Sequence, residues 1–124
     1  MSVATILVIC EHEILRSSLS GWLETVLPDC QTVDARSGAE GLPLAESCLP
    51  RLVIFCTGPS EANRLGEVTR MKKALPDTPI VVLTSYAYPD YCTSFVAAGA
   101  TTCLSYQTIK TELHPVLTGL LQLS

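Results

Sequence analysis

Hydrophobic positions along this chain follow two alternating rhythms. Short extended segments recur five times, at Val3–Cys10, Thr32–Ala35, Leu52–Cys56, Ile80–Leu83 and Thr102–Ser105. Unbroken apolar runs of this length, rich in Val, Ile and Leu, are the mark of strands buried on both faces. Thr32–Ala35 is the weakest of the five. Between them lie stretches whose apolar residues are three and four apart, which is helical spacing. Glu13–Val26 places Leu15, Leu19, Trp22 and Val26 on one face. Ser37–Cys48 opens on a serine with Glu40 three residues on, a capping-box pattern that tolerates Gly41 and Pro43 downstream. Glu61–Ala74 and Tyr88–Ala98 follow, the latter closed by Gly99. The last helix is expected over Thr108–Leu123, with Leu113, Val116, Leu117, Leu120 and Leu121 as its apolar stripe. His114-Pro115 is expected in its first turn, where a missing N–H does no harm. Pro28-Asp29, the breaker-rich Thr57–Ser60 and the pair Pro76 and Pro79 mark turns.

Strands alternating with helices imply an α/β domain with a parallel sheet covered on both faces. Right-handed crossovers leave few topologies. The flavodoxin-like, doubly wound order 2-1-3-4-5 suits five strands and this length. Its ligand crevice lies at the carboxyl ends of strands 1 and 3. Cys10 closes the first strand and Cys56 the third, so two thiols are expected at the switch point, with Glu11 and Thr84 on the same rim.

Composition narrows the function classes. A chain of 124 residues is one domain, and 48% hydrophobic against 16% charged residues lies far from disorder. A net charge of −4 argues against nucleic acid held by this domain alone, since phosphate binding needs a basic face. The sparse cluster Arg64, Arg70, Lys72 and Lys73 reads as a solvated helix face. No apolar run approaches the roughly 20 residues of a membrane span. The opening MSVATILVIC has no basic region before its apolar run, unlike a secretion signal. Six cysteines without a CxxC pair therefore read as mainly reduced thiols in a cytoplasmic protein, each a small buried hydrophobe by default.

Three segments resemble one family over the whole chain. TILVICEHEILRSSLSGWLE is similar to the first strand and helix of the receiver domains of bacterial response regulators, in two-component signalling. VVLTSYA resembles their fourth strand, with its hydroxyl residue at Thr84. FVAAGATTCLSY resembles the run from the fourth helix through an Ala-Gly-Ala turn into the fifth strand. The resemblance implies an aspartate at the end of strand 3 that accepts a phosphoryl group, acids after strand 1 that hold Mg²⁺, and a lysine after strand 5. This sequence departs at each. The acid pair is Cys10-Glu11, the phospho-accepting position is Cys56, and the lysine position is Tyr106. Mg²⁺ wants oxygen ligands and thiolates are soft, so Mg²⁺ binding is expected to be weak or absent and no cofactor is expected. A neutral phenol cannot balance a phosphoryl group as an ammonium does. The expectation is a degenerate, phosphorylation-independent receiver, not an enzyme, forming the N-terminal part of a longer regulator with an output such as a DNA-binding domain.

Each candidate has a plainer reading. Cys10 and Cys56 are expected first as small neutral groups that pack where clustered carboxylates would repel. Two alternatives are a redox pair and a soft-metal site that adds His12. A nucleophilic Cys56 served by His12 is the weakest. Glu11 reads as a solvated rim carboxylate, or one favoured by the start of the first helix. The resemblance implies a partner or homodimer face on helix 4, strand 5 and helix 5. Tyr86, Tyr88, Tyr91, Phe95 and Tyr106 are its candidates, since aromatic residues are favoured at interfaces. Cys103 falls where the family carries a strand-5 aromatic that reports the state of the hydroxyl residue.

Overall fold

A computed structural model describes residues 4–57, 64–84 and 89–121. Strands and helices alternate without exception: β1 (Ala4–Ile9), α1 (Glu13–Val26), β2 (Cys30–Ala35), α2 (Gly38–Cys48), β3 (Leu52–Cys56), α3 (Arg64–Ala74), β4 (Ile80–Thr84), α4 (Pro89–Ala98), β5 (Thr102–Ser105) and α5 (Ile109–Leu121). The five strands form one parallel sheet in the order β2-β1-β3-β4-β5, the doubly wound arrangement expected. Among the described residues no helix is long and apolar enough to cross a membrane.

The two-residue period of the strands divides the core into two layers. On one face Ile6, Val8, Leu52, Ile54, Val81, Leu83 and Leu104 meet α1 through Leu19 and Leu23 and α5 through Leu113, Leu117 and Leu121. On the other, Leu7, Ile9, Val53, Phe55, Ile80 and Val82 meet Ala45 of α2, Val68 and Met71 of α3 and Phe95 of α4. All five residues of β3 are buried, as they are in β4, which explains why these runs carry no polar alternation. Ser37 caps α2 by accepting from the Glu40 N–H at 3.1 Å. Gly99 closes the α4–β5 turn with φ 126°, where a side chain would also strike the stem of Lys72.

Four expectations need correction. Pro115 lies well inside α5, not in its first turn. Thr108 and Thr111 carry the entry instead, with Glu112 N–H donating to the Thr108 carbonyl at 3.0 Å. The helix continues through the proline because Leu113, Leu117 and Leu121 are buried beneath it. β2 begins at Cys30, two residues before the apolar signal, because pairing with Ala4 and Thr5 of β1 extends the strand. Phe95 is 1% exposed and faces the core, so it leaves the candidate interface. Finally, Cys92 of α4 and Cys103 of β5 are joined as a disulfide, with Cα atoms 5.5 Å apart, while Cys10, Cys30, Cys48 and Cys56 form no disulfide.

Candidate functional site

Register brings the sequence candidates together. Ile6 pairs with Leu52 and Val8 with Ile54 across β1 and β3. Counting one further step of two residues sets Cys10 beside Cys56, on the face that meets α1 and α5. Cys56 pairs with Leu83 and Leu83 with Leu104, so Tyr106 lies one step beyond on that same face. The carboxyl ends of β1, β3 and β5 thus converge on two thiols and a phenol.

These side chains close on each other. Cys10 is 2% exposed and Cys56 5%. The Cys56 thiol is pushed well above its usual range, first by a hydrogen bond with Cys10, then by burial and by the like charge that Cys10 would carry. A hydrogen bond with Tyr106 pulls weakly the other way. The Cys10 thiol donates to the His12 carbonyl at 3.5 Å, and the Tyr106 hydroxyl donates to the Thr57 carbonyl at 3.2 Å. The arrangement favours a neutral Cys56 thiol and weakens it as a nucleophile.

The surrounding groups finish the enclosure. His12 is exposed and caps α1, its Nδ1 accepting from the Leu15 N–H at 3.2 Å. That bond occupies the ring nitrogen as a helix cap. Glu11 is exposed on the rim, whereas Thr84 is fully buried, its carbonyl accepting from the Tyr106 N–H at 3.0 Å. Sequence reasoning missed Arg16. Its Nη1 donates to the Cys10 carbonyl at 3.0 Å and its Nε lies 3.8 Å from Asp34 Oδ2, laying a cation over the end of β1. Only its place one turn into α1, beside the strand end, could have signalled this. Among the described residues no group of three or more His, Cys, Asp or Glu side chains is arranged to hold a metal ion.

The raised Cys56 thiol makes stability fall in alkali. In the unfolded chain a thiol ionises near pH 8.5, and in the folded chain only at higher pH. The folded form is therefore fully favoured below about pH 8.5 and loses stability as pH rises toward the folded-state value. Urea unfolding under reductant should show a loss of roughly 1–2 kcal/mol from this site between about pH 7 and pH 10. Cys56→Ser, which cannot ionise, should show a shallower decline. Equal slopes in the two proteins would contradict the buried, protonated thiol.

No protein-family model matches the chain. It is 30% identical over 102 residues to the transcriptional regulatory protein LiaR of Bacillus subtilis, a match covering 82% of this chain and 46% of that protein. The chain thus spans about half the length of the curated relatives it matches. Against the signal receiver domain of a DNA-binding response regulator from Colwellia psychrerythraea the TM-score is 0.86, at 21% identity, covering 96% of this chain and 98% of that one. This chain has the receiver fold. A response regulator protein from Burkholderia pseudomallei, solved with a phosphorylated aspartic acid and a calcium ion, gives a TM-score of 0.75 at 24% identity over 94% of this chain and 66% of that one.

Within the receiver fold, the remaining interface candidates separate. Tyr86 and Tyr88 lie outside the described residues, as does the side chain of Tyr91. Tyr106 is half-buried and turned inward toward Thr57 and Cys56. On the outer side of α4, Val96 is 49% exposed.

Proposed function

We propose that this chain is the receiver module of a response regulator and that it signals without accepting a phosphoryl group. The observation that carries this reading is the closed contact of Cys10, Cys56 and Tyr106 at the carboxyl ends of β1, β3 and β5. An acyl-phosphate needs a carboxylate, and the end of β3 offers a thiol whose proton is held by its neighbour. Mg²⁺ does not fit the donor set, which is two soft thiols and the single carboxylate of Glu11. Arg16, laid over the end of β1, opposes a divalent cation there.

On this reading the module is cytoplasmic and works by docking. Its partner, or a second copy of the chain, meets the side formed by α4, β5 and α5. LiaR is by name a transcriptional regulatory protein, and the matched part is 46% of it, which supports an output in transcription control. A sensor built on Cys10 and Cys56 is the second reading. Their hydrogen bond favours it, and their burial and the raised Cys56 thiol weigh against it.

Incubation with Mg²⁺ and acetyl phosphate tests the proposal. Intact-mass spectrometry should find no phosphoryl adduct on the pocket residues. A stable adduct mapped to Cys10, Glu11, Cys56 or Thr84 would overturn it.

A further inference from the structure

Cys92 and Cys103 are the second thiol pair of this molecule, and nothing in the phosphate-free reading uses them. Cys92 lies in the first turn of α4, and Cys103 lies on β5, paired with Val82 of β4. β5 is an edge strand, hydrogen-bonded to β4 alone. Both cysteines are half-buried, unlike Cys10 and Cys56. Their Cα separation of 5.5 Å lies within the range that a disulfide needs without backbone movement. Cys92 stands near the positive end of the α4 dipole. Neither residue is fully buried, and bridges near the surface are more labile than those deep in a core.

We propose that Cys92 and Cys103 form a reversible redox site, closed by hydroperoxides and reopened by dithiols, that fastens α4 to β5. The Cys92 thiolate attacks the O–O bond of the peroxide, giving a sulfenic acid and releasing hydroxide. The Cys103 thiol then attacks the sulfenic sulfur, the S–S bond forms, and water leaves. In sum two thiols lose two electrons and two protons, and one hydrogen peroxide becomes two waters. A dithiol returns both electrons by exchange through a mixed disulfide. Closure ties α4 to the edge strand on the side proposed for docking, so the redox state sets how firmly that surface is held.

The test uses the whole chain, reduced with dithiothreitol, freed of it and exposed to hydrogen peroxide. Alkylation in denaturant followed by peptide mapping should find Cys92 bridged to Cys103, with Cys10, Cys30, Cys48 and Cys56 still alkylated. Closing a loop across 11 residues should raise Tm by roughly 10 °C, and native dithiothreitol should reverse this. Hydrogen exchange should slow in α4 on oxidation and stay unchanged in β1 and β3. Cys103→Ser and Cys92→Ser should each lose the bridge and the shift, their remaining thiol passing instead to sulfenic or sulfinic acid. A bridge that fails to form, one that resists dithiothreitol without denaturant, or a Cys10–Cys56 bridge in its place would each overturn the proposal. These measurements need no docking partner and no phosphodonor, so they fail or succeed apart from the reading of the pocket.

Discussion

Cys56→Asp should destabilise the domain by about 3–5 kcal/mol at neutral pH and should not restore phosphoryl transfer. The position is 5% exposed, and its neighbours are the Cys10 thiol and the Tyr106 phenol, each of which also donates to a backbone carbonyl. A carboxylate placed there is buried beside soft, weakly polar groups, with no ammonium at Tyr106 and no acid pair to hold a metal. Arg16 does not answer it, because that guanidinium is engaged with the Cys10 carbonyl and Asp34. Burial raises the pKa of such a carboxyl above the unfolded value near 3.9. The variant is therefore least penalised below about pH 4 and loses ground as pH rises through the folded value. Adding Tyr106→Lys should recover part of the loss by supplying a cation. Urea unfolding at several pH values checks both statements. A Cys56→Asp protein as stable as the parent at neutral pH would mean that the pocket is wetter and more open than its hydrogen bonds indicate.

The same residues show what a sequence can and cannot carry. The sheet order was legible because five apolar runs alternate with five helical stretches, and crossover handedness leaves few ways to arrange them. Cys10 and Cys56 were legible as neighbours because both stand at the carboxyl ends of strands that adjoin in that order. Their closure with Tyr106 was not, since it depends on how far β5 runs before the chain turns into α5. Arg16 was hidden because long charged side chains reach several residues from their own position. Phe95 was misplaced because a helix with tyrosine at its entry and phenylalanine one turn on reads equally as a core face or an interface. The sequence pattern does not say which side of α4 meets the sheet. Cys92 and Cys103 belong to different elements, and their 11-residue separation follows no motif. Only the packing of α4 on β5 makes them partners.

Pro115 is the instructive error, and it leads to the second large effect expected. A proline inside a helix costs about 3 kcal/mol by removing a hydrogen bond and crowding the preceding turn. The local rule therefore moves it to the first turn, and the observed helix runs through it. What outweighs the local cost is the apolar stripe: Leu113 and Leu117 are fully buried and Leu121 nearly so, against Ile6, Ile54 and Leu104 of the sheet face. Leu117→Ala should consequently destabilise the domain by about 3 kcal/mol, within the range of buried leucine truncations that leave a cavity. Pro115→Ala should act in the opposite direction and stabilise by about 1 kcal/mol, the regained hydrogen bond being partly offset by a freer unfolded chain. Denaturant unfolding of the two variants side by side reads the contrast. A cost below about 1 kcal/mol for Leu117→Ala would mean that α5 is only loosely docked. A side formed by α4, β5 and α5 would then have no fixed shape to present to a partner. A full cost would mean that α5 is a rigid wall of that face, leaving α4, with its Cys92–Cys103 tether, as the part free to respond.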